Sequence, residues 1–221
     1  MQLGFVAGCS GGGANGDCNG ATQHVVRYDS PTFGGFSVSA SWGEDDMWDV
    51  AARYAGEWNG IKFAAAVAYN ELTGGGALGP VGDTEEYFQA GAYIEHVPTG
   101  IFLYGAYGKN EREIADGESE VWYGKAGLRE RWTPLGHTVL YGEYETIDAG
   151  GSFVAANNGI VALPAGARDA DLELWGLGVV QEIDAAAMSV WVSYRNIEYS
   201  DSSTVDFDDF QYVKAGALIN F

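Results

Sequence analysis

From residue 21 onward the chain repeats one theme, about ten to thirteen residues of alternating polarity followed by a turn. In residues 47–57, Trp48, Val50, Ala52 and Tyr54 share one parity, while Asp49, Ala51, Arg53 and Glu57 share the other. Phe36, Val38, Ala40 and Trp42 alternate in the same way with Ser37, Ser39 and Ser41. Ile61, Phe63, Ala65, Val67 and Tyr69 alternate with Lys62, Ala64, Ala66 and Asn70, and Met188, Val190, Val192 and Tyr194 oppose Ser189, Ser193 and Arg195. A period of two belongs to a β-strand with one oily and one wet face. A helix would space its apolar residues by three and four, and 33 glycines in 221 residues weigh further against helices. The longest apolar run, Phe63 to Tyr69, is far short of the roughly 18 residues a membrane helix needs.

About eleven such segments follow one another, near 22–30, 35–44, 47–57, 60–71, 84–96, 100–111, 119–131, 136–147, 171–182, 186–199 and 208–221. In 100–111 and 171–182 both parities carry apolar residues. Tight connections follow the odd strands, as in Trp58-Asn59-Gly60 and Thr133-Pro134-Leu135-Gly136. Longer, acidic or glycine-rich ones follow most even strands, as in Thr73 to Asp83 and Asp148 to Ala170. Short turns on one side and long loops on the other are the signature of an outer-membrane barrel, the short side being periplasmic. The alternative is a soluble antiparallel sandwich, which also alternates. Its dry core could not hold Arg27, Arg53, Lys62, Lys125 and Arg129, which fall mid-strand on one parity. A water-filled lumen can, and Trp and Tyr on the opposite parity then sit where interfacial girdles belong. The expectation is an all-β, antiparallel, up-and-down transmembrane barrel.

Composition narrows the function. With 31 acidic and 11 basic side chains the formal charge is −20, the wrong sign for a nucleic-acid partner. The chain is nonetheless 47% apolar and 14% aromatic, enough to fold. Met1 to Ser10 has no basic residue to open a secretory signal, and Val6-Ala7-Gly8-Cys9 only partly matches a lipoprotein box. Cys9 and Cys18 lie in a glycine-rich stretch without metal-type neighbours, which points to a loop disulfide in an oxidising compartment over a metal site. Neither a resident metal nor a cofactor is expected.

Two segments carry a family resemblance. Lys214-Ala215-Gly216-Ala217-Leu218-Ile219-Asn220-Phe221 resembles the C-terminal assembly signal of bacterial outer-membrane proteins, with Lys214, Gly216, Ile219 and Phe221 at its key positions. Val25 to Val38, with Arg27-Tyr28-Asp29-Ser30-Pro31 turning through Phe33-Gly34-Gly35-Phe36, resembles a hairpin of Gram-negative general diffusion porins of alphaproteobacterial type. Ser41-Trp42-Gly43-Glu44-Asp45-Asp46 and Ala52-Arg53-Tyr54-Ala55-Gly56 continue it, and the likeness spans residues 21–221. It implies a homotrimeric channel in the bacterial outer membrane for passive diffusion of small hydrophilic solutes and ions, assembled by the barrel-assembly machinery and surrounded by lipid and lipopolysaccharide.

Porins of this family have sixteen strands and periplasmic termini, and single-chain bacterial barrels have even strand numbers. With eleven strands, the resemblance implies the C-terminal portion of such a barrel: residues 1–21 as the end of the constriction-loop region and 22–221 as a partial barrel domain. The competing reading adds a strand at Gln2 to Cys9 and closes a twelve-stranded barrel of other function, as an enzyme or adhesin. By the resemblance Arg27 heads the pore-lining candidates. Arg53, Lys62, Lys125, Arg129 and Arg195 share its facing by parity.

Glu44, Asp45, Asp46, Asp83, Glu85, Glu86, Asp206, Asp208 and Asp209 lie at strand ends on the long-loop side and read as a solvated acidic rim, with calcium bridging to lipopolysaccharide as the alternative. No catalytic residue is expected. His24, His96 and His137 lack a Ser or acid constellation, no Gly-x-Ser-x-Gly occurs, and neither Gly11-Gly12-Gly13 nor Gly74-Gly75-Gly76 has a phosphate-loop ending.

Overall fold

In a computed structural model, which describes residues 24–44, 46–73, 84–113, 117–150, 169–202 and 207–220, the chain forms one antiparallel sheet of eleven strands in sequence order. The strands are β1 (Val25–Asp29), β2 (Phe36–Gly43), β3 (Trp48–Trp58), β4 (Ile61–Thr73), β5 (Thr84–His96), β6 (Ile101–Arg112), β7 (Gly117–Thr133), β8 (Gly136–Gly150), β9 (Asp169–Ile183), β10 (Met188–Asp201) and β11 (Phe210–Ile219). Every neighbour in sequence is a neighbour in the sheet, the meander that short hairpins impose. The described sheet is open, with β1 and β11 at its edges. Cys9, Cys18, the candidate strand Gln2 to Cys9, the segment 1–21, Phe221, and Asp45, Asp83 and Asp206 of the acidic rim lie outside the described residues.

Local chemistry explains the turns. Asn59 and Gly60 both adopt positive φ, +50° and +77°, in the two-residue connection whose backbone twist matches that of the flanking strands. After Asp29 the ladder stops ahead of Pro31, which has no N–H to donate. Ser30 bridges the gap instead: its N–H donates to Val38 O at 2.9 Å, and its Oγ accepts the Val38 N–H at 2.9 Å. The β7–β8 pairing shifts register between Glu130 and Thr133, a bulge next to the Pro134-Leu135 turn.

Ladder partners share a face, so the register separates two surfaces. Ala55, Ala64, Tyr93, Tyr104, Lys125, Glu143, Gly176, Arg195 and Tyr212 form one continuous row across nine strands. The opposite surface carries Trp48, Tyr69, Phe88, Tyr107, Trp122, Tyr144, Trp175 and Tyr194. On β9 exposure alternates with the same period, and there the aromatic and aliphatic surface is the open one. Trp122 is 58% exposed and Leu177 59%, whereas Arg195 is 8% and Glu143 5%. A sandwich would show the reverse.

Of the two strands with apolar residues on both parities, β9 is resolved by register. Leu172 and Leu174 lie on the face of Arg195 and cluster with Ile147 and Ala170, backed by Val121 and Ile197. Trp175, Leu177 and Val179 take the open face.

Candidate functional site

The open surface has the dimensions of a membrane span. On β3, Trp48 and Trp58 bracket a strand about 33 Å long at 3.3 Å per residue. A tilt of about 40° reduces that to about 25 Å, the height of a lipid-facing apolar band. Toward the long-loop side, rings of neighbouring strands meet: Trp48 with Tyr69 (5.3 Å between centroids), Phe88 with Tyr107 (6.1 Å), Tyr107 with Trp122 (4.5 Å) and Trp175 with Tyr194 (5.4 Å). On the same surface, just beyond this belt, stand Glu71, Glu86, Glu111, Glu118, Glu120, Asp148, Asp171, Glu173 and Glu198. An aromatic belt with carboxylates outside it marks the edge of a hydrocarbon layer.

The opposite surface is the candidate pore wall. All six basic residues selected by parity lie on it, and the register shows what each faces. Arg27 is held by Asp29 on its own strand, Nη2 to Oδ1 at 2.8 Å, with both side chains exposed. Arg53 donates from Nη1 to Ser39 Oγ at 2.9 Å. Lys62 lies in register between Glu57 and Glu95. Ser41 Oγ also donates to Asp49 on this face.

Two clusters form further along the wall. In the first, Lys125 and Arg195 converge on Glu143. Arg195 Nε donates to Oε1 at 2.6 Å, Tyr123 OH donates to Oε2 at 2.6 Å, and Lys125 Nζ stands 3.6 Å from Oε2. Arg195 Nη1 also reaches Tyr212 OH at 3.5 Å, and Lys125 Nζ lies 4.3 Å from the centroid of the Tyr141 ring. In the second, Arg129 donates from Nε and Nη2 to Glu182 at 3.1 and 2.8 Å, with Glu95 at 4.0 Å and His137 Nδ1 at 3.2 Å. Arg27 and Arg53, on β1 and β3, join neither cluster.

Sequence reading missed Glu143, Glu95, Glu182, Tyr123 and Tyr212. Parity alone puts each of them on the basic face, but their partners lie up to 53 residues away in sequence, where only register can pair them. The expectation that Trp and Tyr belong to the other parity needs correction as well. Tyr93, Tyr104, Tyr123, Tyr141, Trp191 and Tyr212 share the face of the basic residues. Two of them lie over a glycine of the neighbouring strand, Tyr141 over Gly178 and Trp191 over Gly216, as Phe102 on the same face does over Gly127.

Of the C-terminal segment, Lys214 and Gly216 lie on the basic face of β11 and Ile219 on the open face. At the β2–β3 connection, Glu44 accepts bonds from the His24 N–H (3.2 Å) and ring (3.1 Å). These hold its carboxyl below the usual carboxylate range. A charged, hydrogen-bonding wall backed by an apolar outer surface is arranged to touch water on one side and lipid on the other.

Comparisons with known proteins agree. A sequence model of the Gram-negative porins matches residues 2–217. No curated protein matches the chain. Among solved structures, an anion-selective porin from Comamonas acidovorans superposes with a TM-score of 0.58 at 14% identity, covering 98% of this chain and 64% of its own. In-vitro folded OmpT, an outer membrane protein of Vibrio cholerae, superposes with a TM-score of 0.54 at 15% identity, covering 87% of this chain and 62% of its own. The chain therefore spans less than two thirds of the length of these structures.

Proposed function

Because this chain belongs to the Gram-negative porins of the outer membrane, we propose that it forms part of a water-filled channel for passive diffusion of small hydrophilic solutes and ions. The observation that carries this reading is the sidedness of charge. Arg53, Lys62, Lys125, Arg129 and Arg195 share one face with Glu95, Glu143 and Glu182, behind an outer face of Trp, Tyr, Leu and Val. Selectivity in such a pore follows from its width and the charge lining it.

The eleven strands serve as the C-terminal wall of a sixteen-stranded barrel, with residues 1–21 at the end of the constriction-loop region. The longer chains of the solved structures it resembles support that reading. In this proposal the full barrel is a homotrimer, its acidic rim meets lipopolysaccharide, and Lys214, Gly216, Ile219 and Phe221 are read by the barrel-assembly machinery.

The test is planar-bilayer recording of the full-length protein purified in detergent from outer membranes. Discrete conductance steps that scale with salt concentration are expected. Folded, membrane-inserted protein that passes no current would overturn the channel reading.

A further inference from the structure

Two places on the basic face repeat one arrangement of three residues. At the first, Gly178 on β9 is the ladder partner of Tyr141 on β8, and the Tyr141 ring lies directly over it. A Cβ at Gly178 would stand 2.3 Å from Tyr141 Cζ and 2.7 Å from its Cε1, with no backbone among its nearest neighbours. Lys125 then sets its ammonium over that ring, 4.3 Å from the centroid. At the second, Gly216 on β11 is the ladder partner of Trp191 on β10. A Cβ there would meet Trp191 Cζ2 at 2.5 Å and Cε2 at 2.8 Å. Lys214 places its Nζ 5.5 Å from the Trp191 ring centroid.

In each case a glycine is the floor, a ring from the adjacent strand covers it, and a lysine uses the ring as its support. The floor matters because a ring has only two ways to go on a pore wall: flat along the sheet, or out into the water. Any side chain on the partner residue removes the first. The support matters because a lysine stem is flexible, and attraction between its ammonium and an aromatic face fixes where the charge stands.

We propose that Gly178 and Gly216 are selectivity-determining positions of the channel, acting through Tyr141 and Trp191 to fix Lys125 and Lys214 in the lumen. They are positioning residues, since neither touches a permeating ion. The inference rests on the channel reading above. It also gives Gly216 a role within the folded wall, separate from recognition of the C-terminal segment during assembly.

The consequences differ for width and for charge. Alanine at Gly178 tips the Tyr141 ring off the wall, which narrows the bore. It also strips Lys125 of the ring face that, together with Glu143 at 3.6 Å, fixes its ammonium, so the charge no longer stands at one place on the ion path and contributes less to selectivity. Removing the ring as well reopens the bore but does not restore the lysine. Conductance and selectivity therefore separate between the single and the double variant.

The experiment compares wild type, Gly178→Ala, Tyr141→Ala and Gly178→Ala/Tyr141→Ala in the full-length channel. Single-channel conductance and the zero-current potential under a salt gradient are read for each, with heat-modifiable gel mobility confirming the fold. Gly178→Ala is expected to lower conductance and to reduce anion-over-cation permeability about twofold. The double variant should recover conductance to at least the wild-type value while keeping the reduced ratio.

A Gly178→Ala channel indistinguishable from wild type overturns the proposal, as does a double variant that keeps the lowered conductance. If Gly178→Ala fails to fold, Gly216→Ala and Gly216→Ala/Trp191→Ala carry the same expectations. A wild-type protein that passes no current removes the channel reading itself, a result distinct from the other two.

Discussion

Glu143 is the acceptor on which the wall's central cluster is built, so Glu143→Gln perturbs stability and permeation at once. Its side chain is fully covered and that of Arg195 is 9% exposed. The substitution keeps the shape but removes the charge that Arg195, Tyr123 and Lys125 share. Breaking a buried ion pair costs about 3–5 kcal/mol in a dry interior. Lumen water can reach a freed guanidinium, and glutamine still accepts one bond, so about 2–3 kcal/mol is expected here.

The electrostatic effect has the opposite character, because the wall gains one positive charge. A unit charge about 7 Å from the ion path contributes about 0.6 kcal/mol in water, and salt near about 0.1 M halves it. An anion gains this amount and a cation loses it, so the anion-over-cation ratio should rise about threefold. Zero-current potentials in a salt gradient read the ratio, and urea unfolding in detergent followed by tryptophan fluorescence reads the stability. A folded Glu143→Gln channel with the wild-type ratio would refute the placement of this cluster on the ion path. Glu143→Gln/Arg195→Gln should return the ratio to wild type.

Neutralising Arg53, whose guanidinium donates to the Ser39 hydroxyl, should shift permeability toward cations more than neutralising Arg27, which Asp29 holds in a salt bridge; reversal potentials of Arg53→Gln and Arg27→Gln decide the order. Leu177→Arg, on the open face in mid-strand, should cost about 2–4 kcal/mol or block folding into bilayers, while Ala106→Arg on the basic face should fold; refolding yield into lipid vesicles compares them. Gly100 has a φ of +63°, and a Cβ there would stand 2.1 Å from Arg129 O, so Gly100→Ala should lose about 1–3 kcal/mol in denaturant unfolding with no change in ion selectivity.

Strand order and facing were legible because the side-chain period of two survives any detail of pairing. Met47 to Glu57 reads as a strand from its residues alone, and β3 spans Trp48–Trp58. What parity could not supply is register. Arg195 meets Glu143 across 52 residues, and Arg129 meets Glu182 across 53. These distances follow from the lengths of β8, β9 and the connection between them, which no local pattern encodes. The lumen-facing rings were hidden for another reason. Tyr is at home both at a lipid boundary and on a wet wall, and only the glycine beneath Tyr141 or Trp191 distinguishes the second setting.

The same register shows why the chain's charge of −20 is a poor guide to what the pore admits. Much of the described acidic surplus lies on the outward parity beyond the aromatic belt, where Glu71, Glu86, Glu111 and Glu118 are ladder partners in one row and Glu120, Asp148 and Asp171 in the next. Like charges directly opposite weaken a sheet, so these rows persist against a local cost, eased in one place by Lys109 between Glu111 and Glu118. Most of the strong cations stand on the other face, where Lys62, Lys125, Arg129 and Arg195 lie beside carboxylates. Salt screens the outer rows from the lumen within about 8–10 Å. In the proposed channel, selectivity would therefore follow from how the basic face is paired, at Arg53, Lys125 and Arg195, and a change of one charge there should outweigh several on the rim.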